Sequence, residues 1–287
     1  MTKININEAW AYATSFFSDQ HANHAIVLIG VGIVGPLLLN ILLGGAAGGA
    51  AMDPAALATG AASMTAFSGT VILLGLISFA VQTGSYFASW RMGLAPGKES
   101  IGSAIGYGVV AALPVLLVSL AFILVLGIVL AVVFGASIVP LIMSGGTPTD
   151  AQAAGAGISM LVGLPFFLVF VLWLAARFCC MGPVMADQRT YNPITGLTES
   201  WRMTGASQWK LMGYFVLIFV VFIIISAIVG MVAGVSMMAG AQPGGAGFGL
   251  TMILGSVIGI PLAYFYVAVP AGIYRALGGG AAADVFA

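Results

Sequence analysis

Six long apolar runs punctuate the chain: Ala25 to Leu43, Ser63 to Trp90, Gly108 to Phe134, Ile158 to Arg177, Leu211 to Met238 and Phe248 to Tyr274. Each approaches or exceeds the roughly 20 residues that an α-helix needs to cross a ~30 Å hydrocarbon core, where a helix satisfies its own backbone groups. A membrane β-barrel would instead alternate apolar and polar residues along each strand. Phe215 to Ile225 is apolar at every position. The pattern therefore predicts an all-α polytopic membrane protein with six transmembrane helices.

The segments between the runs are of two kinds. Those after the first, third and fifth runs, residues 44–62, 144–157 and 239–249, are rich in Gly and Ala and lack the anchors of a folded outer domain. Those before the first, third and fifth runs read as short interfacial helices. In the first, Ile6, Trp10, Ala13 and Phe17 form an apolar stripe opposite Glu8, Tyr12, Ser15 and Asp19. Asn5 with Glu8 three residues on suggests a capping box. A weaker example follows Pro96 and Gly97, with Ile101, Ala104 and Ile105 apolar and Gly106 as the expected break. The third starts at Asn192 and Pro193, a favoured N-cap and N1 pair, and ends near Gly205, with Ile194, Leu197 and Trp201 on one face.

These openers share a pattern. Glu8-Ala9-Trp10, Glu99-Ser100-Ile101 and Glu199-Ser200-Trp201 lie in them, and Arg91, Arg177 and Arg275 close the second, fourth and sixth runs. The chain thus reads as a single integral membrane domain, residues 1–287, with possible internal repeats 5–92, 96–178 and 192–276. These are three parallel-oriented helical hairpins, each preceded by a short cytoplasmic interfacial helix. Two spans per unit keep the copies in one orientation, related by an axis along the membrane normal. The competing reading is that Glu and aromatic residues are common at interfaces and that a terminal Arg merely snorkels.

Composition agrees with a lipid-facing surface: 61% of residues are hydrophobic, only 6% are charged, and the mean hydropathy is +1.14. Eight Lys and Arg balance eight Asp and Glu, so net charge says nothing of partners, and no nucleic-acid footprint exists. Placement is more telling. With the N-terminus inside, all eight basic residues fall on cytoplasmic segments and the opposite loops carry none, which sets both termini on the cytoplasmic side. The N-terminal segment lacks the pattern of a cleavable signal, with Lys3 opposed by Glu8 and Asp19.

The spans carry little chemistry. No Asp, Glu, Lys or His lies within them, which speaks against an ion- or proton-coupled transporter. Polar groups are limited to residues such as Gln82, Thr83, Ser119, Ser226 and Ser256, which more often bond between helices than bind a substrate. Gly35-Pro36, Pro114, Pro165, Pro261 and Pro270 mark kinks or breaks. Ser226, Gly230 and Gly234, and Gly255 with Gly259, read as faces for close packing or self-association. His21 and His24 lack a third metal ligand and read as solvated interfacial residues. Cys179 and Cys180 read as small packing residues. No metal, cofactor or catalytic constellation is evident, so an enzyme is not expected.

Arg177 is the most conspicuous charge, and its expected partners are Asp187 or Glu199. The analogous pairs are Arg91 with Glu99 and Arg275 with Asp284. The segment from Arg177 to Leu217 also carries Pro183, Asp187 and then Ser200, Trp201, Arg202, Thr204 and Gly205. It resembles the membrane domain attached to some bacterial glycerophosphodiester phosphodiesterases, and related stand-alone bacterial membrane proteins. That resemblance covers about a seventh of the chain. It implies a six-helix inner-membrane protein but no phosphodiesterase activity, because that chemistry sits in a separate soluble domain.

The expected function is a non-enzymatic scaffold that contacts membrane lipids, a protein partner or a second copy through its interfacial helices. Arg202 beside Trp201 and Lys210 beside Trp209 suit anionic headgroups, and equally suit plain anchoring. The alternative is a permease or exporter subunit for a neutral or amphipathic solute. A continuous polar cavity lined by Gln82, Thr83 and Ser226 would favour the permease, and a tightly packed bundle centre the scaffold.

Overall fold

The computed structural model describes residues 4–39, 69–95, 99–143, 149–238 and 246–280. Among the described residues every regular element is helical: α1 (Ile6–Ser15), α2 (His21–Leu39), α3 (Gly69–Leu94), α4 (Ile101–Met143), α5 (Asp150–Phe178), α6 (Met181–Asp187), α7 (Pro193–Thr204), α8 (Gln208–Met238) and α9 (Ala246–Ala276). Five stretches, in α2, α3, α4, α5 and α8, are long and apolar enough to cross a membrane. The sixth expected run coincides with α9, a helix of 31 residues. Residues 44–62, 144–148 and 239–245 of the small-residue loops lie outside the described residues, while residues 150–157 of the second form the first turns of α5.

The helix starts follow their sequence signals. The Asn5 side chain accepts from the Asn7 N–H at 3.1 Å, and that of Asn192 from the Ile194 N–H at 3.0 Å ahead of Pro193. The capping box is not completed, because Glu8 accepts from the Tyr12 hydroxyl at 3.4 Å. The buried stripe of α1 is also rotated from expectation: Ala9, Ala13 and Phe16 are buried while Trp10 is 48% exposed. Small residues win that face because α1 lies directly on α9, where a Cβ added at Gly272 would collide with the Ala9 carbonyl.

Neither expected break in α2 or α4 occurs. Residues Ile26–Val34 adopt π-helical hydrogen bonding, and the Gly35 N–H reaches back to the Gly30 carbonyl, so the wider turn carries the helix through Pro36. α4 runs unbroken through Gly106 and Pro114 for 43 residues, about 65 Å at 1.5 Å per residue. One Gly costs only about 1 kcal/mol in a helix, too little to stop an apolar continuation. The second opener is therefore the first turns of α4 rather than a separate helix.

Successive long helices pack on one another, α2 on α3, α3 on α4, α4 on α5, α5 on α8 and α8 on α9, and α9 returns to α2. The tightest crossing is between α3 and α4, where a Cβ on Gly108 would strike the Gly84 carbonyl and one on Gly84 would lie 3.3 Å from the Gly108 oxygen. Of the other small-residue faces, Gly230 and Gly259 have open space around them and Ser226 is exposed, so these residues make no close helix contact within the described chain. Large apolar side chains such as Val132, Leu161 and Phe166 face outward, as on a lipid-exposed surface. The described core gathers at the end that carries the arginines.

Candidate functional site: a helix-lined cavity and a belt of arginines

Between α3, α4, α5, α8 and α9 lies a cavity of about 400 Å³, closed at one end by α6. Its polar wall comes from Gln82, Thr83 and Tyr86 of α3 and Ser119 of α4, and the rest is aromatic or aliphatic, including Phe87, Trp90, Phe178, Phe215 and Phe265. No charged residue lines it. An adjoining space of about 440 Å³, walled by α5, α8 and α9, is apolar throughout apart from Tyr266, and shares Phe215, Ile218, Phe265 and Tyr266 with the first. Ser226, expected on the polar wall, points elsewhere. Ser119 takes that place because the Gly84–Gly108 crossing draws α4 onto α3.

The cavity floor is fixed by packing and hydrogen bonds. Trp90 lies on Gly182, where any side chain would overlap the indole, and its Nε1–H donates to the Val267 carbonyl at 2.8 Å. Tyr107 donates from its hydroxyl to the Met185 carbonyl at 2.7 Å, or to Thr190 at 3.0 Å. Cys179 lines the cavity, and its Sγ lies 3.7 Å from that of buried Cys180.

Around this floor run the arginines. Arg91 donates to Glu99 through Nε at 3.0 Å and Nη2 at 2.6 Å, and through Nη1 to the Ala186 and Asp187 carbonyls at 2.8 and 3.2 Å. One side chain thus joins the end of α3, the start of α4 and the C-terminus of α6, whose carbonyls suit a cation. Ser103 donates to the other Glu99 oxygen at 2.6 Å, and Arg189 approaches Glu99 at 3.6 Å. The Ser103 hydroxyl first, then the Arg91 donors, hold the Glu99 carboxyl below its ordinary value of 4.5, against the opposing effect of burial. The expected Arg91–Glu99 pair is present.

The expected pairing of Arg177 is not. Asp187 accepts from the Tyr274 hydroxyl at 2.7 Å, and Glu199 pairs with Arg202 one turn along α7. The reason is the direction of α7. Ser200 and Thr204 donate to the Arg177 carbonyl at 2.8 and 3.1 Å, and Glu199, about 100° away around the helix from Ser200, faces outward. The Arg177 guanidinium lies instead against the face of Trp201, 3.8 Å from the ring centroid. Arg275 donates to the Gly93 carbonyl at 2.9 Å, while Asp284 lies outside the described residues.

His24 is a further correction. It is 1% exposed and its Nδ1 lies 2.6 Å from the Ser89 hydroxyl, packed among Phe16 and Phe17, whereas His21 is exposed as expected. The Phe16-Phe17 turn folds over the start of α2, which sequence spacing did not reveal. Among the described residues no three His, Cys, Asp or Glu side chains converge as metal ligands. No protein-family model, curated protein or solved structure matches the chain.

Proposed function

We propose that this is a six-span, non-enzymatic protein of a bacterial inner membrane that holds a neutral or amphipathic molecule between its helices, as a permease or exporter subunit does. The supporting observation is the cavity: its walls join Gln82, Thr83 and Ser119 to aromatic surface with no charge, and an apolar space adjoins it. Such a site matches a solute with a few hydrogen-bonding groups and an apolar body. Ala175 lies on the wall, so Ala175→Trp fills it. Native mass spectrometry of protein extracted from membranes should show an uncharged adduct on wild type that Ala175→Trp loses. An adduct retained by the variant, or none on wild type, would refute the reading.

The lipid- or partner-contacting scaffold remains the second reading, favoured by the outward exposure of Trp201, Arg202, Trp209 and Lys210. Both readings use three repeated hairpins with cytoplasmic ends. In support, each opener packs on the closing helix of the preceding unit: α1 on α9, the start of α4 on α3, and α7 on α5. Ala9 and Ala13, one and five residues after Glu8, meet Gly272; Ser200 and Thr204, at the same offsets from Glu199, meet Arg177. An electron-microscopy map in which the three hairpins failed to superpose about one axis would remove the repeat.

A further inference from the structure

Two of the three nitrogens of the Arg177 guanidinium are buried without an acceptor. The residue is 5% exposed, Nε and Nη1 have no hydrogen-bond partner, and no described carboxylate pairs with it. The structure nevertheless prepares the position. The absence of a side chain at Gly205 leaves room for the guanidinium, since a Cβ there would lie 3.2 Å from Nη1. Ser200 and Thr204 anchor the Arg177 backbone to α7. Trp201 covers the guanidinium face and is itself braced edge-on by Trp173. Cation–π contact compensates part of the charge but supplies no acceptor for N–H groups that are costly to leave unbonded.

We propose that Arg177 is an anion site that takes phosphate oxygens, with Trp201 as its cover. Arginine matches phosphate through several charge-assisted hydrogen bonds. Trp201 and Trp209 keep exposed indoles on the same stretch of chain, which sets the site at the depth of lipid headgroups. The phosphate of an anionic lipid and free inorganic phosphate share this chemistry. The site is independent of the central cavity, because it depends on the α5–α7 contact rather than on the cavity wall.

The test uses the full chain in an uncharged detergent, titrated separately with dioctanoyl phosphatidic acid, inorganic phosphate and dioctanoylglycerol. Binding is followed by thermal unfolding and tryptophan fluorescence. A phosphate-bearing probe should bind saturably and raise the unfolding midpoint, and Arg177→Gln should weaken it about tenfold or more. Dioctanoylglycerol should do neither. Binding by phosphatidic acid alone identifies a lipid headgroup, and equal binding by inorganic phosphate identifies the free anion. Failure of both phosphate probes on wild type, or equal affinity in Arg177→Gln, overturns the proposal. Should Arg177→Gln not fold, Arg177→Lys must bind more weakly, and Trp201→Leu must bind with most of the fluorescence change gone. Unaltered binding and signal in both variants would equally overturn it.

Discussion

Replacing Arg91 by Ala should destabilise the protein more than removing any exposed charge. The Arg91 and Glu99 side chains are 12% and 7% exposed, and Arg91 also supplies the bonds to the Ala186 and Asp187 carbonyls. Its loss leaves a buried carboxylate with only Ser103 and the more distant Arg189, and leaves the end of α6 without its cation. Breaking a buried pair by deleting one partner costs about 3–5 kcal/mol, and the residual solvent contact argues for about 3 kcal/mol here. The double variant Arg91→Met with Glu99→Gln removes both charges together and should cost less than Arg91→Ala alone. Reversible unfolding in mixed detergent and dodecyl sulfate micelles, monitored by circular dichroism, measures the difference. Arg202→Ala is the control, because its Glu199 pair is 69% and 26% exposed and little measurable change is expected. If Arg91→Ala is no worse than Arg202→Ala, or if the two changes simply add, the pair does not hold these helices together.

The same carboxylate gives an acid dependence. Because the folded Glu99 titrates below its ordinary value of 4.5, its stabilisation is complete above that value and is lost as pH falls through the folded one. The difference in unfolding midpoint between wild type and Glu99→Gln should therefore shrink below about pH 4.5 and stay constant above it; a difference independent of pH would contradict this. Gly108→Val should force α4 from α3 at the Gly84 carbonyl and cost about 2 kcal/mol or more, whereas Gly102→Ala, with open space around it, should be neutral or better in the same unfolding assay. In a Cys180→Ala background, Cys179 should react with a membrane-permeant maleimide from within the cavity, and Ala175→Trp should slow that labelling; equal rates would place the thiol outside the cavity.

What the chain determines locally was legible in its sequence. Runs of apolar residues dictate helices because lipid offers no partner for a free backbone group, and Asn5 and Asn192 cap where their side chains reach the next N–H groups. The Arg91–Glu99 pair was equally readable, because its members are 8 residues apart in the chain. Tertiary structure decided the rest. It fused the second opener into α4, and it turned Ala9 inward and Trp10 outward. It buried His24 against Ser89, 65 residues away, and set the Gly84–Gly108 crossing that brings Ser119 to the cavity. It also left Arg177 facing Trp201 instead of a carboxylate. Each of these depends on which face of a helix meets a distant neighbour, and in an almost uniformly apolar helix hydrophobic periodicity does not mark that face. Steric fit between small residues and aromatic rings selects it, and that fit exists only once the helices are packed.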